Sequence, residues 1–352
     1  MPHLYGKHYT RAEFLAHVGK VEQAASITAF DFTQGPERGT RGLAVRNAAG
    51  LEFTVHPDRC LDIGAASFGG KPLAWTSATG FPARDFYEPE ERGWLRTFGG
   101  GLVATCGLTN VGPPTNDDWG KTGQHGRIGH LPAFDVACSG QWSGDDYALT
   151  MTGQVRETRV FGENLLLRRT ITVPLDSPRL FLTDTITNEG DAPVPLMLLY
   201  HCNLGFPLLS AAAFVDGDFS QIVSRDADAE DGKERALLFD PPTAQYREKV
   251  YWLHANPQPS GRASVSLVNP DTDLCLSLAY DTAALPCLAQ WKQMGQGAYT
   301  VGLEPGNVYP LGRAHYLNQG TLPMLAPGET RTFALDFAAG PASSVPASDR
   351  VK

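Results

Sequence analysis

The fold is decided by residues 165–186, which read LLLRRTITVPLDSPRLFLTDTI. The apolar side chains in each half of this stretch fall on alternate positions: Leu165, Leu167, Ile171 and Val173, then Leu180, Leu182 and Ile186. A period of two is typical of strands with one buried face, because successive side chains point to opposite faces of a sheet. The stretch therefore predicts two half-buried β-strands.

The same alternation continues on both sides of this stretch. It recurs at residues 51–55, 265–267, 274–278 and 333–337, and turn-forming residues such as 188–191 lie between the runs. No regular helical pattern separates these runs, and the sequence has no repeat of fixed period. We therefore expect an all-β fold of large antiparallel sheets packed as a sandwich, rather than a parallel sheet, a propeller or a solenoid.

The amino-terminal region carries a clear helix signal. Thr10 and Glu13 have the spacing of a capping box, and an apolar face follows them, which predicts a short helix near residues 11–18. Since no change in composition marks a boundary further along, we expect one domain over residues 1–340. A flexible tail is predicted over residues 341–352.

The charge balance excludes one large class of partners. The 352 residues contain 29 Lys+Arg and 38 Asp+Glu, for a formal net charge of −9. Phosphate backbones and anionic lipids are bound by clustered cations, so neither nucleic acid nor a membrane surface is an expected partner. A hydrophobic content of 42% is enough for a large core.

The cysteines and apolar runs indicate a cytoplasmic protein. None of the six cysteines forms a CxxC pair, so neither a zinc site nor a disulfide framework is expected. Charged side chains interrupt the first residues where a signal peptide would be apolar. The longest mostly apolar stretches, such as residues 193–200, are far shorter than the ~20 residues that span a bilayer.

Two segments concentrate polar groups where the chain must turn. The first, residues 56–64, contains Arg59 and Asp62, which could bind sugar hydroxyls or could form an ion pair that ties a hairpin together. The second, residues 108–130, contains Asn110, His125 and Arg127. Glycines flank His125 and Arg127, which permits close approach of a ligand, although His125 could equally bond a loop carbonyl. Neither Rossmann nor P-loop spacing is present.

An imidazole and a carboxylate stand at the ends of two apolar strands. His201 and Asn203 end the run that begins at residue 196, and a histidine there is either a proton-transfer group or a satisfied core residue. Glu304 ends another strand, and partial burial would raise its pKa toward a value useful for a general base. It could instead cap a turn or pair with Arg313.

Trp291 and Lys292 are two further candidate binding residues. Trp291 and Lys292 could form a sugar-binding platform, or could simply pack with a snorkelling amine. The histidines show no metal-binding spacing and no nucleophile elbow is present. The sequence therefore predicts no metal and no cofactor.

Four motifs, in order along the chain, resemble those of the aldose 1-epimerase (galactose mutarotase-like) superfamily. They are Pro-Asp-Arg at 57–59, Gln-His-Gly-Arg at 124–127, Tyr-His-Cys-Asn at 200–203 and Leu-Glu-Pro at 303–305. The sequence is more similar still to a bacterial branch of uncharacterised aldose-epimerase-like proteins. The resemblance extends from about Gly19 to the strand near Phe337.

The resemblance implies a β-supersandwich whose concave face holds a monosaccharide or a modified sugar. It implies Glu304 as general base and His201 as general acid, with His125 and Arg59 contacting the ring oxygens. The superfamily's substrate-binding aspartate has three candidates here, Asp240, Asp273 and Asp281. The full set of predicted substrate-binding residues is Arg59, Asp62, Asn110, His125, Arg127, Asn203, Trp291, Lys292 and Arg313.

A mutarotase needs one acid and one base, since it protonates the ring oxygen of a sugar while removing the proton from the anomeric hydroxyl. We expect an ionised Glu304 and a protonated His201, and hence a bell-shaped pH profile. Isomerisation, epimerisation or elimination on a keto sugar would use the same pair, and a non-catalytic carbohydrate-binding protein is a third hypothesis. The sequence leaves three questions open: which sugar is bound, whether the sugar is phosphorylated, and whether the protein is a monomer or an oligomer such as a homodimer.

Overall fold

Alternating apolar residues organise the chain into antiparallel sheets, as the sequence predicts. The computed structural model describes residues 1–344. In chain order, the first strands are β1 (His3–Leu4), β2 (Lys7–His8), β3 (Ser26–Asp31), β4 (Arg41–Arg46), β5 (Leu51–His56), β6 (Asp62–Phe68), β7 (Lys71–Pro72), β8 (Ala104–Leu108), β9 (Thr115–Asp117) and β10 (Gly120–Thr122). They are followed by β11 (Phe134–Ser143), β12 (Asp146–Thr158), β13 (Asn164–Pro174), β14 (Arg179–Asn188), β15 (Val194–Pro195), β16 (Met197–Gly205), β17 (Phe214–Gly217) and β18 (Phe219–Ser224).

The remaining strands complete the sheets, and the helices are short. The strands are β19 (Lys249–Ala255), β20 (Arg262–Asn269), β21 (Leu274–Asp281), β22 (Cys287–Gly295), β23 (Ala298–Gly306), β24 (Met324–Leu325) and β25 (Thr330–Gly340). The α-helices are α1 (Arg11–Leu15), α2 (Ala227–Glu230) and α3 (Arg313–Gln319). Single 3-10 turns lie at Val21–Gln23, Gly35–Glu37, Arg84–Phe86, Gly93–Arg96, Ile128–His130, Lys233–Arg235 and Ala342–Ser344.

The largest sheet contains the stretch that decided the fold. Its eight strands run in the order β11-β12-β13-β14-β25-β21-β20-β17. β13 and β14 pair antiparallel, with Leu167 opposite Ile186. Both of these side chains are fully buried in the main hydrophobic core, so the predicted all-β class and the predicted strand pair are confirmed.

A six-stranded sheet, in the order β18-β19-β22-β23-β16-β8, packs on this core with one of its faces. Leu204, Val301 and Leu303 point into the core from that face. His201 and Glu304 have the opposite parity on the same strands, so they lie on the sheet's other face. A five-stranded sheet, β3-β4-β5-β6-β7, completes the large sheets of residues 1–344.

The predicted amino-terminal helix forms, although it is shorter than expected. Thr10 accepts a hydrogen bond from the Glu13 backbone and the Glu13 carboxylate accepts one from Thr10 N, which is the predicted capping box. α1 ends at Leu15 rather than near Val18. Its buried side chain, Phe14, packs against Trp142 at a ring distance of 6.0 Å.

The end of the chain is only partly described. Of the predicted tail, residues 345–352 lie outside the described residues. Ala342, at the beginning of the tail, is buried in a small cluster with Val268 and Cys275. In the part of the chain that the structure describes, none of the helices is long and apolar enough to cross a membrane.

Candidate functional site

Two neighbouring strands bring His201 and Glu304 together. The antiparallel register of β16 and β23 pairs Leu199 with Gly306 and Cys202 with Leu303, which sets His201 opposite Glu304. Side chains directly opposite each other in an antiparallel pair lie on the same face. The His201 Nε2 and Glu304 Oε1 atoms are 3.1 Å apart, and both side chains are buried.

A glycine makes room for the carboxyl group between these strands. Gly302 lies two residues before Glu304 and therefore on the same face of β23. A Cβ atom built at Gly302 would overlap Glu304 Oε1 and would lie 3.3 Å from His201 Cε1. The absence of a side chain at this position allows the carboxyl group to lie flat against the sheet beside the imidazole.

Aromatic rings enclose the imidazole. The ring of His201 lies 5.0 Å from Phe98 and 5.3 Å from Trp291, both edge to face, and 6.2 Å from Trp94. These rings and the His201–Glu304 pair line a cavity of about 510 Å³. A cavity of this size with apolar walls and a few convergent polar groups is typical of small-molecule sites.

A second imidazole enters the cavity from a loop. His125 has a φ of 57°, in the left-handed region, and its ring lies 5.9 Å from that of His201. Two backbone hydrogen bonds hold this conformation, because His125 N donates to Gly112 O and Gly107 N donates to His125 O. The prediction that glycine-flanked His125 faces a ligand therefore has a structural basis in the cavity lining.

Three polar atoms at this site are buried without a hydrogen-bond partner in the protein. They are Nδ1 of His125, Nδ1 of His201 and Oε1 of Glu304, whose contact with His201 is close but not aligned for a hydrogen bond. Buried polar atoms are nearly always paired, since leaving one unpaired costs about 1–3 kcal/mol. Three such atoms around one cavity leave hydrogen-bonding capacity that the protein does not satisfy.

Burial reverses the predicted protonation of the pair. Desolvation raises the pKa of Glu304 to about 8 and, together with the nearby His125, lowers the pKa of His201 to about 3. The close approach of the two groups favours an ion pair, but desolvation of both charges opposes it and dominates here. At neutral pH these shifts favour a protonated carboxyl group and a neutral imidazole, the opposite of the ionised Glu304 and protonated His201 that the sequence analysis expected.

Two predicted binding residues are occupied elsewhere. The guanidinium of Arg59 donates to Pro82 O and Thr97 O and contacts His130 Nε2. Asp62 accepts from Thr105 and forms an ion pair with Arg169 at 2.9 Å. Both side chains are buried outside the lining of the cavity, and they do not pair with each other, so the Arg59–Asp62 tie that the sequence offered as the alternative does not form either.

Two more predicted residues fix the loop that carries His125. The amide of Asn110 donates to Pro113 O and Gly123 O. Arg313 pairs with Asp117 at 2.8 Å and donates to Thr109 O. Neither lines the cavity, and Arg313 does not pair with Glu304. Their part in the site is to position the loop.

Strand geometry separates Lys292 from Trp291. Neighbouring residues on a strand point to opposite faces, and Trp291 occupies the cavity face of β22. Lys292 therefore points the other way, where its ammonium donates to Arg235 O and Leu238 O. Asn203 shares the face of His201, but its amide nitrogen donates to Gly101 O and His201 O.

The other sequence candidates also lie away from the cavity. Arg127 is exposed on the far side of the His125 loop and lines a different cavity. The three candidates for a substrate-binding aspartate, Asp240, Asp273 and Asp281, are absent from the cavity lining within residues 1–344. Of the predicted site residues, the structure thus brings together Glu304, His201, His125 and Trp291.

Sequence reasoning missed most of the cavity wall. Trp94 and Phe98 belong to the irregular segment before β8, where large aromatic residues among charged ones were the available signal. Glu248 accepts a hydrogen bond of 2.8 Å from Trp291 Nε1 and one of 3.2 Å from Arg225. Nothing in the sequence relates Arg225, Glu248 and Trp291 to one another, because the segments that bring them together are separated along the chain.

Solved structures with this fold are similar over most of the chain. A protein from Klebsiella pneumoniae, described as a "putative aldose 1-epimerase", is 24% identical with a TM-score of 0.85, over 91% of this chain and 84% of that one. A galactose mutarotase-like protein from Clostridium acetobutylicum is 13% identical with a TM-score of 0.58, over 91% of this chain and 99% of its own. A galactose 1-epimerase from Lactobacillus acidophilus is 12% identical with a TM-score of 0.58, over 90% and 99%.

These likenesses confirm the predicted fold, the galactose mutarotase-like sandwich. No curated protein sequence matches the chain. Residues 37–339, most of the sequence, match the profile of a family described as "Domain of unknown function (DUF4432)". The chain therefore belongs to the DUF4432 family and has a galactose mutarotase-like fold.

Proposed function

We propose that the protein is a carbohydrate isomerase that interconverts the anomers of a free sugar. The observation that carries this proposal is the contact of His201 with Glu304 in a sugar-sized cavity, where each side chain has a buried polar atom without a protein partner. The names of the neighbouring structures, aldose 1-epimerase and galactose 1-epimerase, point to the same reaction class.

The spacing of the pair suits this chemistry. In mutarotation the anomeric hydroxyl loses a proton while the ring oxygen gains one, and the bond between the ring oxygen and C1 breaks. The open aldehyde rotates about its C1–C2 bond and closes on the other face, returning both protons. Because the two oxygens are bonded to the same carbon, neighbouring proton-transfer groups such as His201 and Glu304 can serve both of them.

The pair carries one proton at neutral pH, which is what the reaction needs. In the resting state that burial favours, Glu304 holds this proton and acts as the acid, and neutral His201 acts as the base. This assignment is the reverse of the roles that the superfamily resemblance implies. Ring opening passes the proton of Glu304 to the ring oxygen and the proton of the anomeric hydroxyl to His201, so ring closure runs with the roles exchanged, as microscopic reversibility requires.

Exchange between anomers, measured by NMR with and without protein across neutral aldoses, uronates, ketoses and sugar phosphates, tests the proposal. We expect catalysed exchange of at least one sugar and a loss of about 10²–10⁴-fold in the Glu304→Gln and His201→Asn variants. His254→Asn is the matched control, since His254 is exposed on β19. Full exchange in both site variants would disprove the assignment, whereas sugar binding without exchange would favour a binding protein.

The pKa values of the pair set the expected pH profile. Below about 3 both groups are protonated and the pair lacks a base, and above about 8 both are deprotonated and it lacks an acid. Catalysed exchange, corrected for the spontaneous reaction, should therefore fall about tenfold for each pH unit beyond either limit. A steep fall between about pH 7 and about pH 5 would show instead that His201 titrates near its ordinary value.

The second candidate function is isomerisation or epimerisation at a carbon atom of a keto sugar, and the position of His125 supports it. Its ring is a third proton-transfer group beside the pair, which mutarotation does not require. Isomerisation or epimerisation of a keto sugar removes a proton from the carbon next to the carbonyl group. Incorporation of deuterium from D₂O into a C–H position would identify this reaction, because mutarotation exchanges only protons on oxygen.

A further inference from the structure

A second cavity lies behind the loop that carries His125. It has a volume of about 140 Å³, and Gly123 and Gly126, on either side of His125, form part of its wall. Trp119 and Thr122 line it as well. The loop thus separates this cavity from the site of the proposed reaction, and it contacts both.

The lining of the second cavity is rich in basic side chains. Among the described residues that line it, four side chains are basic and one is acidic: Lys121, Arg127, Arg159 and Arg313, and then Glu163. Arg159 Nη1 lies 3.0 Å from the position of a Cβ atom built at Gly120, and Gly120 O accepts a hydrogen bond from Arg313. The basic groups therefore converge on one small volume.

Three of these cations have partners, but Arg127 does not. Arg159 pairs with Glu163 at 3.2 Å, Lys121 with Glu90 at 3.1 Å, and Arg313 with Asp117. The guanidinium of Arg127 forms no ion pair and no hydrogen bond with any residue in 1–344. It acts electrostatically on Glu157, but the oxygens of this buried carboxyl group accept from Leu108 N and Thr109 Oγ1.

Besides Arg127, a second polar side chain of this cavity lacks a hydrogen-bond partner in the protein. Thr122 Oγ1 is buried and has no hydrogen-bond partner in the protein. A hydroxyl group can donate to an anion, and an arginine fork matches two oxygens of a phosphate or carboxylate group. The unpartnered guanidinium of Arg127 and hydroxyl of Thr122 line the same small cavity, and these are the donor types that an oxyanion needs.

We propose that this second cavity binds a small oxyanion of the phosphate class, held by Arg127, Arg159 and Thr122, and that its occupancy affects the proton-transfer site through the His125 loop. The loop is attached to the cavity wall at several points, because Asn110 donates to Gly123 O and Tyr87 donates to Gly126 O. A ligand in the cavity contacts the wall on which His125 stands. This binding site is separate from the proposed reaction.

Calorimetry with inorganic phosphate at constant ionic strength tests the site without any assay of activity. We expect saturable binding to the wild-type protein and a weakening of at least about tenfold in Arg127→Ala, since one bidentate charge-assisted contact is lost. Arg179→Ala, on β14 and remote from the cavity lining, removes the same charge and should bind phosphate as the wild type does. Equal weakening in both variants, or no saturable binding to the wild type, would overturn the proposal.

Two further variants locate the bound anion. Thr122→Val should weaken phosphate binding without a change of charge, because it removes the unpartnered hydroxyl group. Arg225→Ala, at the first cavity, should leave the binding unchanged. Loss of binding in Arg225→Ala but not in Arg127→Ala would place phosphate in the first cavity, as part of a substrate, and would refute the second site.

The coupling is tested with any sugar whose exchange the protein catalyses. At a phosphate concentration that fills the wild-type site but not the weakened site of Arg127→Ala, phosphate should change the rate in the wild type and have a much smaller effect in the variant, at equal ionic strength. An equal response of both proteins would disprove the coupling. Failure of the proposed function would leave the calorimetric result intact, so the two proposals can fail separately.

Discussion

Strand β16 separates two groups of buried ionisable side chains, which differ in whether all of their polar atoms have hydrogen-bond partners. On its core side, Tyr200 donates to Asp184, which pairs with Arg169 at 2.7 Å, and Arg169 also donates to Asp62 and Thr105. On its cavity side, His201 contacts Glu304. No buried side-chain oxygen or nitrogen atom of the Arg169 cluster lacks a partner, whereas the His201–Glu304 pair has two such atoms.

The difference shows that burial alone does not indicate function. A buried charge that is paired and fully hydrogen-bonded contributes to the architecture, and removing one partner leaves an uncompensated charge. A buried acid and base that lie beside a cavity and lack hydrogen-bond partners can bind a ligand there and exchange protons with it. The next three predictions test this distinction, beginning with the largest effect.

Breaking the Arg169 cluster should destabilise the protein severely. Arg169→Met leaves Asp62 and Asp184 buried without a counter-ion, and the free energy of unfolding should fall by about 3–5 kcal/mol. Urea denaturation followed by circular dichroism measures the change. Arg168→Met is the matched control, because Arg168 is the exposed neighbour on β13, and it should change stability by less than about 1 kcal/mol. Similar losses in both variants would contradict the distinction.

Removing the buried acid should have the opposite effect on stability. Between a pKa of about 4.5 in the unfolded chain and about 8 in the folded protein, the folded state binds the extra proton at Glu304, so stability falls as pH rises. Glutamine cannot ionise. Glu304→Gln should therefore match the wild type at about pH 4 and exceed it by a few kcal/mol above pH 8.

Thermal denaturation at several pH values measures this difference. The control is Glu52→Gln, at an exposed carboxyl group on β5, which should not develop the difference as pH rises. If the advantage of Glu304→Gln over the wild type does not grow with pH, the carboxyl group is ionised in the folded protein and the proposed acid is wrong.

Displacing the carboxyl group should impair catalysis more than stability. In Gly302→Ala the new methyl group overlaps Glu304 Oε1, the far end of a flexible side chain that can move away. A displacement of about 1 Å can cost about 10²-fold in rate, so we expect a loss of this size in anomer exchange with little change in melting temperature. Gly295→Ala in β22 is the control, since its Cβ atom would meet the side chain of Gln293 at 3.0 Å and Ala298 O at 3.8 Å, and neither residue lines the cavity. Normal exchange in Gly302→Ala would show that the position of Glu304 is not critical.

Much of the fold could be predicted because it depends on local patterns. The alternation at Leu165 to Val173 requires one buried face whatever the sheet order, and the Thr10–Glu13 pair satisfies a helix terminus within four residues. The five-residue length of α1 and the order of strands in the three large sheets depend on packing between distant segments, which no local pattern records.

The sequence predicted those residues of the candidate site whose side chains are unusual for the end of an apolar strand. His201 and Glu304 stood out because an imidazole and a carboxyl group at the ends of apolar strands need partners. Arg59 and Arg313 also looked suited to a ligand, but the structure gives them carbonyl and carboxylate partners within the protein. Side-chain type reveals what a group can bind, whereas its surroundings decide whether that capacity is already used.

The sequence by itself determined the β-sandwich class, through the period of two, and the identity of one acid and one base, through residue type and strand position. The tertiary structure alone decided that these groups touch, that burial places the proton on Glu304, and that Arg127 faces a separate cavity. The physical reason is that hydrophobic periodicity is a local property of the chain. Desolvation and hydrogen-bond pairing depend on which distant segments surround a group.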